Sequence, residues 1–140
     1  PLLDALGQGI HDLALALADM AAGRPDKVVF VVITDGQENA SREYTREQIV
    51  DLIEEKQAAG WEFVFLSADL EAIGEAMAVG FAAHHTLAFD KDAAGTRNAW
   101  RATSKNIAEL RRMRKADLSF EDEDRAVQRS ERRRKQDGTL

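Results

Sequence analysis

Apolar positions set the rhythm of the chain. From residue 2 to 22, Leu3, Leu6, Ile10, Leu13, Leu17 and Met20 fall three or four apart. That spacing predicts one amphipathic helix. Ala5, Gly7, Gly9, Ala14, Ala16 and Ala18 are small enough to let it approach a sheet closely, and Gly23 with Pro25 predicts its end. The pattern then changes. Val28 to Ile33 are six consecutive apolar residues, mostly β-branched, with no polar alternation. They predict a strand buried on both faces, closed by the turn Thr34-Asp35-Gly36. Thr45-Arg46-Glu47-Gln48 reads as a capping box, opening a helix that carries Ile49, Leu52, Ile53 and Lys56 and ends near Gly60. Trp61 to Ser67, WEFVFLS, is the second strand. Strand, helix and strand make a βαβ unit, whose crossover is nearly always right-handed.

Ser67-Ala68-Asp69 predicts the cap of a short helix, with Leu70, Ile73, Ala76 and Met77 inward and Gly80 at its end. Thr86 to Phe89 is a short third strand, and Asp90 follows it. A last body helix is expected from about Ala93 to Arg112, with Trp100, Thr103, Ile107 and Leu110 along one side. The expected architecture is α/β: three layers, with a Rossmann-like parallel sheet of about three strands and flanking helices, half of a doubly wound sheet. Residues 1–112 form this body. Residues 113–140 are read apart, as a charged tail that is either a solvated helix or disordered. Only Phe120, Ala126 and Val127 offer it packing.

At 140 residues and 44% hydrophobic the chain suits one domain with a core. It has no cysteine, which removes disulfides and thiolate metal sites and is compatible with the cytoplasm. No apolar run is long enough to cross a membrane, and no signal-type segment opens the sequence, so a cytoplasmic protein is expected. The net charge of −6 is uneven: residues 111–140 hold 10 basic and 7 acidic side chains, which leaves −9 on the first 110. An acidic body argues against nucleic acid as the main partner. The basic run Arg132 to Lys135 is diluted by Glu131 and Asp137 and lacks interleaved aromatic residues, so a solvated helix end is expected there.

The strand running into Thr34-Asp35-Gly36 and Gln37-Glu38-Asn39 resembles the von Willebrand factor A domain. So does Pro1-Leu2-Leu3-Asp4-Ala5-Leu6, which is similar to the segment just after that family's second metal-site loop. The resemblance covers roughly residues 1 to 110 and the second half of the family's domain only. It implies a non-catalytic protein-interaction module that takes an acidic side chain of its ligand through Mg²⁺ or Mn²⁺. In the family, an Asp-x-Ser-x-Ser loop, a Thr and a later Asp hold that ion. Asp35 matches the last of these, a residue that reaches the metal through water, and Thr34 stands beside it. The Asp-x-Ser-x-Ser loop is absent, and the Thr would fall just before Pro1. The implied site is therefore incomplete, and metal binding by this chain alone is expected to be weak or absent. Glu38 and Asn39 add little to a set of six oxygens. The plainer reading is that Asp35 and Asn39 shape a strand-to-helix loop.

Other chemistry ranks lower. Asp69 and Asp90 also follow strands, where Asp most often caps the next helix; for the later helix, Asp92 and Thr96 compete with Asp90. Ser67, Asp69 and His84 or His85 supply the residue types of a small hydrolase. Ser67 lacks the Gly-x-Ser-x-Gly elbow, and the His pair sits where a strand begins. His11 reads as a surface residue. Gly7-Gln8-Gly9 lacks the preceding strand and third glycine of a dinucleotide loop. The resemblance has a further consequence: the strand Val28 to Ile33 would lack its neighbour on one side. A bare apolar edge predicts self-association or docking on a companion chain. A metal-independent assembly subunit is the alternative to the metal-dependent module.

Overall fold

A computed structural model describes residues 2–20, 22–34, 40–81, 85–112 and 120–137. Its elements run α1 (Leu2–Ala18), β1 (Val28–Thr34), α2 (Arg46–Ala58), β2 (Trp61–Ser67), α3 (Leu70–Ala78), β3 (Thr86–Ala88), α4 (Ala93–Arg111) and α5 (Asp122–Asp137). The strands form one parallel sheet in the order β1-β2-β3, with Val28 opposite Trp61, Thr34 opposite Ser67, and Phe65 opposite Thr86. The fold is α/β with helices on both sides of a parallel sheet, a Rossmann-like three-layer arrangement, as the sequence predicts.

Strand alternation sorts the core into two halves. Trp61, Phe63 and Phe65 of β2 face α1, α2 and α3, where they meet Leu6, Ile10, Leu17, Ile49, Ile53, Ala72 and Ala76. Phe63 and Phe65 both meet Phe81 edge-on, at 6.0 and 5.3 Å between ring centroids. On the other face Val64 and Leu66 pack with Leu87, Phe89, Phe120 and α4 residues Ala99, Ala102 and Leu110.

Local signals in the sequence explain the helix ends. The amide N of Gln48 donates to Thr45 Oγ1 at 3.2 Å and that of Thr45 to Gln48 Oε1 at 2.8 Å, so the capping box forms as read. Gly7 of α1 lies under the ring of Tyr44, where a Cβ would come within 2.5 Å of Cδ1. Close packing therefore accounts for this glycine.

Four expectations need correction. Met77, expected inward on α3, is 48% exposed. β1 is not buried on both faces: Val28 to Val31 are half-buried and Ile33 is 48% exposed. The strand buried on both faces is β2, because it has a neighbour on each side and β1 pairs only with β2 among the described residues. Trp100, expected inward, is 51% exposed. The buried face of α4 is made by Gly95, Ala99, Ala102, Thr103, Asn106 and Leu110. At 3.6 residues per turn, Trp100 falls on the flank away from Asn98, Arg101 and Lys105, which face α5 across a groove. Finally, residues 122–137 form a helix, one of the two forms expected of the charged tail, but they are not a solvated appendage. Phe120 enters the core, and α5 docks on α4 and β3 through buried polar residues, Asp124 and Gln128, while Ala126 and Val127 stay exposed. The apolar count of this segment hid a helix held by hydrogen bonds and ion pairs.

Candidate functional site

Ligands of open parallel sheets bind beyond the carboxyl ends of the strands. Here those ends bring Thr34 and Ser67 side by side on β1 and β2, with Asp69, Asp90 and Asp92 following β2 and β3. Asp35, Gly36, Gln37, Glu38 and Asn39 lie outside the described residues, and so does His84.

The acids at this edge have structural partners. Asp69 caps α3, its Oδ1 accepting the amide of Glu71 at 2.8 Å, and the amide of Asp69 donates to Ser67 Oγ at 3.1 Å. Asp92 caps α4, accepting the amide of Gly95 at 2.7 Å, which settles the competition for that cap. Asp90 instead meets Arg132 Nε at 2.6 Å and Lys135 Nζ at 2.9 Å, and Lys135 also pairs with Asp92. Partial burial opposes ionisation of Asp90, but the bonds from Lys135 and Arg132 outweigh it and hold its carboxyl below the ordinary range. The Lys135 bond does the same for Asp92, helped by the Gly95 amide, and the two carboxylates push Lys135 up.

Sequence reasoning missed Asp4. Its Oδ2 accepts the amide of Arg42 at 2.9 Å, and its Oδ1 those of Glu43 and Tyr44 at 2.9 and 3.0 Å. The amide of Asp4 donates in turn to Ser41 Oγ at 3.2 Å. A carboxylate in the first turn of α1 thus fixes the backbone that leads from the strand-end loop into α2. Its local signal was present, an acid between leucines in a first helical turn, but the loop it holds lies some forty residues away.

Ser67 and His85 are not brought together. Ser67 is buried at the carboxyl end of β2, whereas His85 precedes β3 and lies 3.6 Å from Glu62 across the opposite end of the sheet. His11 is exposed on α1. No group of three or more His, Asp or Glu side chains suited to a metal occurs among the described residues. Their donor set does not by itself fit Mg²⁺, because Asp69 and Asp92 cap helices and Asp90 neutralises two cations.

A second feature is the open side of the sheet. The crossover helices α2 and α3 share one face with α1, so the described strands contain no topological switch point. On the other face, Val29, Val31 and Ile107 are only partly covered, and Ile33 and Trp100 are about half exposed. Among the described residues, no strand therefore pairs with the outer side of β1 from Val28 to Ile33, which lies beside partly covered apolar residues. No helix among the described residues is long and apolar enough to cross a membrane.

No family model matches the chain, nor does any curated protein or solved structure that was compared with it. What the fold defines is a class: a parallel α/β domain whose sheet, among the described residues, has one edge covered by a helix and one edge without a paired strand.

Proposed function

We propose that the chain is a non-catalytic protein-interaction module whose contact is the open edge of β1, completed by an extended strand from another chain. One observation carries this reading. β1 is seven residues long, regular in register and free of charge and proline, and among the described residues nothing pairs with or caps its outer edge. A partner strand would satisfy its outward backbone groups, and apolar residues beside that strand would cover Ile33 and Trp100.

In the von Willebrand-type form of the reading, Mg²⁺ or Mn²⁺ at the strand ends takes an acidic side chain of the ligand. Thr34 and, through water, Asp35 would contribute from this chain, with the remaining ligands supplied by the partner. The position of Thr34 at the carboxyl end of β1 and the motif resemblance support it. The metal-independent alternative, an assembly subunit, is favoured by the structural roles of Asp69, Asp90 and Asp92.

Sedimentation of the full chain against concentration tests the edge. The wild type is expected to associate, and Ile33→Lys to remain monomeric with an unchanged melting temperature. A wild type that stays a cooperatively folded monomer at high concentration overturns the reading. Thermal melts with and without millimolar Mg²⁺ or Mn²⁺, beside Asp35→Ala, separate the two forms, because a metal that binds only the native state raises the midpoint.

A further inference from the structure

We propose a second binding site on the far side of the sheet from β1: the groove between α3, β3 and α5 binds an acidic peptide segment that carries an aliphatic anchor. The groove encloses about 350 Å³. Its floor is apolar, with Ile73, Met77 and Leu87, and one wall carries Arg125, Arg129 and Arg132. Among the described residues that line it there is no carboxylate, and Asp90 reaches only Arg132 at its end. The three arginines stand at i, i+4 and i+7 on α5, one row about 10 Å long at 1.5 Å per residue.

Charge complementarity selects the occupant. In a protein of net charge −6, Arg129 is the positive centre of this row over an aliphatic floor, because Asp90 already matches the charge of Arg132. Arg125 is held by the Thr86 carbonyl at 2.9 Å and Arg132 by Asp90, so both are preset. Arg129 is exposed and has no ion pair among the described residues. Met77, 48% exposed on the floor, is an unbranched side chain suited to irregular apolar partners. A single small anion would engage one guanidinium and leave the row unmatched. A helical peptide with acids at the same spacing engages Arg129 directly and lies along its preset neighbours, and its leucine covers Met77. An oligonucleotide would find no aromatic residue in the groove on which to stack.

The test uses the full chain and a fluorescein-labelled peptide with three glutamates and one leucine on a single helical face, read by anisotropy. Binding that weakens with salt is expected, with about a tenfold loss for Arg129→Glu and a loss for Met77→Ser that persists at high salt. Thermal melts confirm that both variants fold. No binding by the wild-type chain, an affinity indifferent to Arg129→Glu, or equal displacement by a single-stranded oligonucleotide would each overturn the proposal. Ile33→Lys leaves this binding unchanged, which keeps it distinct from the edge contact of β1.

Discussion

Replacing Asp4 by Ala should unfasten the segment that enters α2. In the native chain the carboxylate accepts the amides of Arg42, Glu43 and Tyr44 at 2.9 to 3.0 Å, geometry suited to charge-assisted bonds. A bond to a charged group contributes about 1.5–3 kcal/mol, and these share one half-buried side chain, so the loss is set at about 2–3 kcal/mol in total. For a chain of this size that is a fall of roughly 6–9 °C in melting temperature. Asp4→Asn should fall between the variants, because its amide oxygen can replace Oδ1 towards Glu43 and Tyr44 whereas its NH₂ cannot accept from Arg42. The Asp4 amide's bond to Ser41 Oγ survives in both variants. Differential scanning calorimetry gives the total. Hydrogen exchange at residues 42–44 locates it, since local opening should rise there before global unfolding does. Asp4→Ala melting with the wild type, with unchanged exchange at 42–44, would refute the reasoning.

Gly7→Ala should destabilise the protein by about 1–3 kcal/mol in a denaturant titration, because the new methyl meets the Tyr44 ring. Helix propensity alone predicts the opposite sign, a gain of about 1 kcal/mol, so the direction decides. The Asp90, Asp92 and Lys135 cluster should hold α5 across the neutral range. The carboxyl groups lie below the ordinary aspartate value of 3.8 in the folded chain, so their contribution is complete above that value and lost as the pH falls through the lower folded values. Lys135 lies above 10.5, so its contribution is complete below that pH and lost above it. Exchange of the α5 amides against pH should show both limits, and Asp90→Asn should weaken protection at neutral pH. Arg125→Met should lower stability by about 1–3 kcal/mol in the same titration, since the Thr86 carbonyl at the β3 edge loses its donor.

The sheet, its order of elements and the caps at Thr45 and Asp69 were legible because each rests on a local signal: apolar runs, turn residues, an acceptor one turn ahead of a helix. The burial of β1 was not legible from its own residues. Val28 to Ile33 read like a central strand, but burial depends on neighbours, and only the topology shows that β2 has two and β1 one. The docking of α5 was hidden for another reason. Its buried positions are Asp124 and Gln128, polar residues that composition assigns to solvent and that become buried only when they meet α4: Asn106 Nδ2 donates to Asp124 Oδ2 at 3.3 Å, and Gln128 Nε2 to the Gly95 carbonyl at 3.4 Å. Of the expected metal residues, Thr34 stands at the strand end where the motif put it, and Asp35 lies outside the described residues.

The two edges of the sheet explain why the interaction reading rests on β1. An unpaired edge is a liability that a fold either blocks or uses. β3 is blocked three times over: it is only three residues long, Arg125 donates to its Thr86 carbonyl, and α5 lies along it, tied by Arg132 and Lys135 to Asp90 just beyond the strand. Among the described residues β1 has no such device. It is more than twice as long, its register with β2 is unbroken, and its Ile33 is about half exposed. Among the described residues a whole helix covers one edge and no strand pairs with the longer, more apolar one, and the proposed contact would add a strand there. A strand added there would also create the switch point that the described sheet lacks, provided its connecting helix lay on the α4 face, where β1 is only partly covered. The same contact would therefore complete the sheet and build a crevice at its carboxyl end, beside Thr34.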